Sequence, residues 1–135
     1  MDLSFKIYKF HDGSMINLMI VDLNEKYCHK FVIESMYKKA DSIVLVYDIT
    51  NKTSFEECKT HYKKKIKELC EQNIKVILVG NKKDLESERQ IDYIEASEFA
   101  KENNYLFMEV SCLNNENVYE IFETITEETL FNKRK

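Results

Sequence analysis

Apolar and polar positions alternate with a period of two through Phe5-Lys6-Ile7-Tyr8-Lys9-Phe10, the pattern of a half-buried strand. His11-Asp12-Gly13-Ser14 then supplies an Asp-Gly turn, and residues 16 to 21 resume a strand, so the opening segment predicts a β-hairpin. Residues 23 to 30 are polar and aperiodic, which predicts a loop leading into a short helix near residues 31 to 38. Residues 42 to 48 form a buried-strand run. Thr53 with Glu56 forms a capping-box pattern, and Phe55, Cys58, Tyr62, Ile66 and Leu69 follow at helical spacing. The opposite face carries Lys59, Lys63, Lys64, Lys65 and Lys67, which reads as a solvated face rather than a binding patch. A second apolar run covers residues 74 to 80, and Asp92 with Glu95 opens a helix through about Asn103. Residues 106 to 110 predict another strand. Val118, Ile121, Phe122 and Ile125 mark the core face of a last amphipathic helix.

A hairpin followed by repeated β-α alternation predicts an α/β fold. The sheet is expected to be mainly parallel, with helices on both faces and an antiparallel edge hairpin.

The junction at residue 80 changes the picture from fold to chemistry. The apolar run ends in Gly80, expected to let the chain turn tightly, and is followed at once by Asn81-Lys82-Lys83-Asp84. Open α/β sheets bind ligands at the carboxyl ends of their strands. An Asp carboxylate there can accept two parallel N–H bonds from a guanine edge, with an Asn beside it to satisfy neighbouring groups. A chain rich in Lys and Asn can produce this tetrapeptide by composition, but its placement directly after a strand argues for a ligand loop.

Composition removes several classes of function. At 135 residues, 44% hydrophobic and 33% charged, the chain has the make-up of one ordinary globular domain. A net charge of −4 gives no reason to invoke nucleic acid. Cys28, Cys58, Cys70 and Cys112 show no Cys-x-x-Cys pair and no metal-ligand spacing with His11, His29 or His61, so reduced thiols are expected. No apolar run approaches the roughly 18 residues of a membrane span, no signal peptide opens the sequence, and no cysteine near its end offers a prenylation site. A soluble, cytoplasmic chain without a direct membrane anchor is the expectation. The two glycines, Gly13 and Gly80, are too far apart for a phosphate-cradling Gly-x-x-x-x-Gly-Lys-Ser/Thr loop.

These segments together resemble the Ras-like small GTPases, and within them the Rab group. Asn81-Lys82-Lys83-Asp84 matches that family's guanine-specificity motif, and Glu109-Val110-Ser111-Cys112-Leu113 resembles its second base-contacting loop, usually Ser-Ala-Lys. Tyr37-Lys38-Lys39-Ala40, Leu45-Val46-Tyr47-Asp48-Ile49-Thr50, Ser54-Phe55 and the segment from Ile91-Asp92-Tyr93 to Phe99-Ala100 are similar to Rab stretches, in the family's order. The resemblance implies a vesicle-traffic switch with a G domain over residues 1–131 and a basic tail at 132–135. It implies a guanine pocket of Asn81, Lys82, Asp84, Ser111, Cys112 and Leu113, with the Lys82 stem on the ring and the Cys112 N–H near the base carbonyl. It further implies GTP or GDP with Mg, the metal held through water by Asp22, and protein effectors at the hairpin and residues 27–39.

The departures are equally specific. In the family a first strand, the phosphate loop and a first helix precede the hairpin, so an incomplete G domain is expected, as a truncated gene product or a natural short form. Its hairpin and the strand at 42 to 48 would then either pair, accept a strand from another chain, or leave open edges. The family's Asp-Thr-Ala-Gly-Gln aligns with Asp22-Leu23-Asn24-Glu25-Lys26. Glu25 brings a carboxylate where a glycine N–H meets the γ-phosphate. Lys26 replaces the glutamine that orients water, and an ammonium offers donors only. Hydrolysis is expected to be lost and nucleotide binding to be weak or absent. The alternatives are a pseudo-GTPase interaction module without nucleotide, or a truncated product with no independent activity.

Overall fold

A computed structural model describes residues 2–10 and 12–133, so Met1, His11, Arg134 and Lys135 lie outside the described residues. The chain divides into two compact units, Met1–Lys38 and Lys39–Lys135.

In the first unit, β1 (Asp2–Lys9) and β2 (Met15–Asp22) pair antiparallel, in a register that sets Leu3 opposite Val21 and Phe5 opposite Met19. The predicted hairpin is present and slightly longer than the alternation suggested. Gly13 adopts φ +89°, and its N–H donates to the Phe10 carbonyl at 3.0 Å. The Asp12 carboxylate takes both the N–H (2.8 Å) and the hydroxyl (2.6 Å) of Ser14. That is the local chemistry which makes Asp-Gly a turn signal. Helix α1 (Lys30–Lys39) follows where the pattern placed it, with Ile33 and Tyr37 buried.

The second unit carries a parallel sheet of order β3-β4-β5, formed by β3 (Ser42–Asp48), β4 (Lys75–Asn81) and β5 (Leu106–Glu109). The strands are joined through α2 (Lys52–Glu57), a π-helical turn (Cys58–Tyr62), α3 (Lys63–Leu69), a 3-10 turn (Lys83–Glu88) and α4 (Tyr93–Glu102); α5 (Val118–Lys133) ends the described chain. The central strand is buried on both faces. Ile77 and Val79 pack with Val110 against Ile121 and Ile125 of α5. The other face meets an aromatic chain in which the Tyr47, Phe55, Phe99 and Tyr105 rings follow one another at 5.0, 5.8 and 6.0 Å. Among the described residues no helix is long and apolar enough to cross a membrane.

Three sequence expectations are corrected here. Residues 42 to 48 do not form a strand buried on both faces: Val44 and Val46 are 36% and 53% exposed. The register sets them beside Ile77 and Val79 on the face that α5 covers, and α5 packs on β4, one strand further in. The helix cap is Asn51 rather than Thr53. Asn51 is extended (φ −129°, ψ 101°), and its side chain accepts the Ser54 N–H at 3.1 Å. Gly80 lies inside β4 without a positive φ, so a turn is not what requires it. The Tyr47 ring crosses it, and a Cβ there would fall 2.7 Å from the Tyr47 hydroxyl oxygen.

The lysine face is also more particular than its pattern. Lys64 and Lys67 are exposed, whereas the Lys59 ammonium lies 4.9 Å from the Phe55 ring centre and pairs with Glu56 at 2.8 Å. Burial pushes the Cys58 thiol up to about 12, with Glu57 adding to the effect, and Cys70 up to about 11. Both therefore stay protonated at neutral pH, the buried Cys58 and the half-buried Cys70 alike.

Candidate functional site

The two loops predicted to form a base pocket meet at the carboxyl end of β4. Val110 donates its N–H to the Gly80 carbonyl at 2.8 Å, and Lys83 donates to the Val110 carbonyl at 3.0 Å, so the backbones run side by side past the strand ends. Two side chains then lock them. The Asn81 Oδ1 accepts the N–H of Lys82 at 2.8 Å and of Cys112 at 3.3 Å. The buried Ser111 donates its hydroxyl to Asp84 Oδ1 at 2.7 Å and accepts the Asn114 N–H at 3.1 Å. Asp84 is thus oriented through one carboxylate oxygen, while Oδ2 has no protein donor among the described residues. Such an arrangement leaves an acceptor aimed by a neighbour and open to an outside N–H.

Asn81, Lys82, Asp84, Ser111 and Cys112 are brought together, and the exposed Leu113 follows in the same loop. One detail differs from the resemblance. The Cys112 N–H, expected to face a base carbonyl, is donated within the protein to Asn81.

Lys82 holds the least expected geometry. Its backbone is left-handed (φ 68°, ψ 34°), a conformation that costs a non-glycine residue roughly 1–2 kcal/mol. Its ammonium reaches Asp48 Oδ2, at the end of β3, at 2.7 Å. Asp48 Oδ1 is held by the N–H and hydroxyl of Thr50 at 2.8 and 2.7 Å. Burial works against ionisation of Asp48, but the hydrogen bonds from Lys82 and Thr50 outweigh it and keep its carboxyl below the ordinary value. The same hydrogen bond to Asp48 raises Lys82. A folded-state value below the unfolded one means the pair's contribution is present above the unfolded value and is lost as pH falls through the folded one. Carboxyl-carbon NMR is expected to show Asp48 titrating below 3.8, with Lys82→Gln moving the midpoint upward. A midpoint unmoved by that change would remove the ion pair from the account.

Behind the loops, Arg89 donates to both oxygens of Glu109 at 2.8 and 2.7 Å, to the Ile91 carbonyl at 2.8 Å, and to Glu86. Glu109 ends β5 and its carbonyl accepts from Asn117, so this brace fixes the strand that leads into Ser111. Lys83 pairs with Glu116 at 2.8 Å. Sequence reasoning missed Asp48, Arg89 and Glu116, because each acts through a partner distant in the chain, and Thr50, which acts through Asp48.

Glu25, Lys26 and Asp22 lie in the first unit. Glu25 accepts the Tyr37 hydroxyl at 3.0 Å, and the Lys26 ammonium lies 5.8 Å from the Tyr27 ring centre. Asp22 closes β2 as an exposed carboxylate. Among the described residues no group of three or more His, Cys, Asp and Glu is placed to hold a metal ion. Mg is bound by one or two carboxylates only when phosphate oxygens and waters complete its shell. The residues present do not make that site alone.

The sequence profile of the Ras family matches residues 2–131, so the fold and the loops define a chain that belongs to the Ras family. Its relatives include the Ras-related proteins Rab-4A of Rattus norvegicus and of Homo sapiens, each 40% identical over 110 residues. Rab-4 of Dictyostelium discoideum is 38% identical over 110 residues. They place it with the Rab group. The matched region is 82% of this chain but 50 to 53% of these relatives, so the chain spans about half the length of the curated relatives it matches.

Proposed function

We propose that these 135 residues form a Rab-like homologue that retains guanine-base recognition while its phosphate and hydrolysis machinery has degenerated. The observation that carries the reading is Asp84, oriented by buried Ser111 through one oxygen and offering the other. In this reading Asp84 takes the guanine N–H edge, Asn81 braces the loops, the Lys82 stem covers one face of the ring, and Leu113 packs at its rim. A charge-assisted bond of this kind contributes roughly 1.5–3 kcal/mol. Immobilising a ligand costs on the order of 4–15 kcal/mol. With no glycine-rich phosphate cradle among these residues, GTP or GDP is held only at millimolar strength, and Mg adds little.

Glu25 and Lys26 point the same way for hydrolysis. A carboxylate repels the γ-phosphate, and an ammonium cannot accept a proton from the attacking water. A role in vesicle traffic through protein effectors is part of this proposal by kinship with the Rab relatives.

An NMR titration with guanosine and adenosine tests it. Guanosine is expected to shift Asp84, Ser111 and Leu113 with a millimolar midpoint, unchanged by Mg, and adenosine to leave them in place. Asp84→Asn keeps an acceptor for Ser111 but turns a donor toward the base, so guanosine binding should vanish with the fold intact. Micromolar, Mg-dependent GTP binding, or guanosine binding that survives the substitution, would overturn the reading.

A second reading, a pseudo-GTPase interaction module, is favoured by one observation. Leu3, Phe5, Ile7, Met15 and Met19 share a hairpin face and are each more than half exposed, and Tyr27 and Phe31 are exposed beyond it. A cooperatively folding chain that ignores guanosine would support this module.

A further inference from the structure

We propose that Asp48 is a positioning residue for guanine recognition, anchoring the Lys82 ammonium so that the lysine stem is set in advance as an apolar cover for the base. The inference rests on the base-pocket reading above and adds to it a residue outside both base loops.

The geometry supports it from three sides. Asp48 cannot wander: Thr50 holds its Oδ1 with two hydrogen bonds, and its own N–H donates to the Ser54 hydroxyl at 3.0 Å. It is also the cross-strand partner of Asn81, so the ends of β3 and β4 are in register where the pair forms. From the other side, the left-handed backbone at Lys82 directs that residue out of the strand, and its side chain runs from the end of β4 to the carboxylate at the end of β3. The stem is therefore stretched along the carboxyl edge of the sheet, beside Asp84. Lysine otherwise has a flexible four-carbon stem whose freedom is lost when it covers a ligand. Pairing with a fixed carboxylate removes that loss before binding. Asp84 and Glu88 also lie close enough to favour the ammonium, but Asp48 accepts its hydrogen bond.

Two different contributions to binding follow. The Lys82 cover acts on the ring face, common to guanine and hypoxanthine, whereas Asp84 takes the ring N–H and the amino group, and only guanine has both. Asp48→Asn removes Oδ2 and leaves an oxygen for Thr50. It is expected to weaken guanosine and inosine by the same factor, about two- to tenfold, leaving their ratio unchanged. Asp84→Asn should instead abolish guanosine binding. Lys82→Met, which keeps an apolar stem without the ammonium, should behave like Asp48→Asn, and the double variant should bind no worse than either single one. Independently of any ligand, carbon relaxation of the Lys82 methylenes should report an ordered stem in the wild type and a mobile one in Asp48→Asn.

Unchanged guanosine affinity in Asp48→Asn, beside lost binding in Asp84→Asn, would overturn the inference and spare the pocket. Lys82 methylenes equally mobile in wild type and Asp48→Asn would overturn it without any titration. Failure of the wild type to bind guanosine would end both.

Discussion

Replacing Glu109 with Ala should cost about 3–5 kcal/mol, the range for leaving one member of a buried ion pair without its partner. The Arg89 and Glu109 side chains are only 16% and 6% exposed, and the guanidinium meets both carboxylate oxygens. Those hydrogen bonds, with further ones to Glu86, raise Arg89 above its ordinary value despite partial burial. It therefore remains charged in the variant, with only the exposed Glu86 left to answer it. A domain of this size has about 5–15 kcal/mol in all, so the variant should sit near its unfolding threshold. Urea titration followed by circular dichroism measures the loss. Arg89→Met with Glu109→Met should cost less than Glu109→Ala alone, because neither buried charge is then orphaned. A loss below about 1 kcal/mol for Glu109→Ala would show that the brace does not hold β5 in place.

The second large effect is expected at Gly80. Gly80→Ala should destabilise by about 1–3 kcal/mol, the usual cost of overpacking a filled core. The added methyl would lie 2.7 Å from the Tyr47 hydroxyl oxygen, 2.9 Å from the ring carbon bearing it, and 3.1 Å from an Ile49 methyl. Tyr47 is 1% exposed and cannot swing away. Among the described residues its hydroxyl has no hydrogen-bond partner, and burial pushes its ionisation far above the ordinary range. Tyr47→Phe alone should therefore be neutral or stabilising, since it removes a buried polar atom that gains nothing. Added to Gly80→Ala, it should recover part of the loss by removing the shortest contact. Strictly additive costs in that double-mutant cycle would place the strain elsewhere.

Much of the fold was legible because short-range rules act within each element. The apolar runs gave β3, β4 and β5, and Asp92 capped α4 as its position foretold, accepting the Ile94 N–H at 3.0 Å. Misreadings occurred where a local signal had two physical meanings. Gly80 after a strand reads as a turn, yet what demands glycine is the Tyr47 ring from the neighbouring strand. The left-handed residue at this junction is Lys82, which no propensity rule would choose. Thr53 and Glu56 form a capping pattern, but Asn51 lies one position before the helix and takes the role.

The candidate site divides in the same way. The order Asn81-Lys82-Lys83-Asp84 and the presence of Ser111 were set by sequence alone, and they are the closely spaced donors and acceptors that the proposed base recognition needs. Which oxygen of Asp84 remains open, where the Cys112 N–H goes, and why Lys82 points to Asp48 were decided only by tertiary structure. Hydrogen-bond partners up to 34 residues apart along the chain meet only when the strands come into register. Sequence specifies which groups a chain can offer. Only packing decides which of them are already taken.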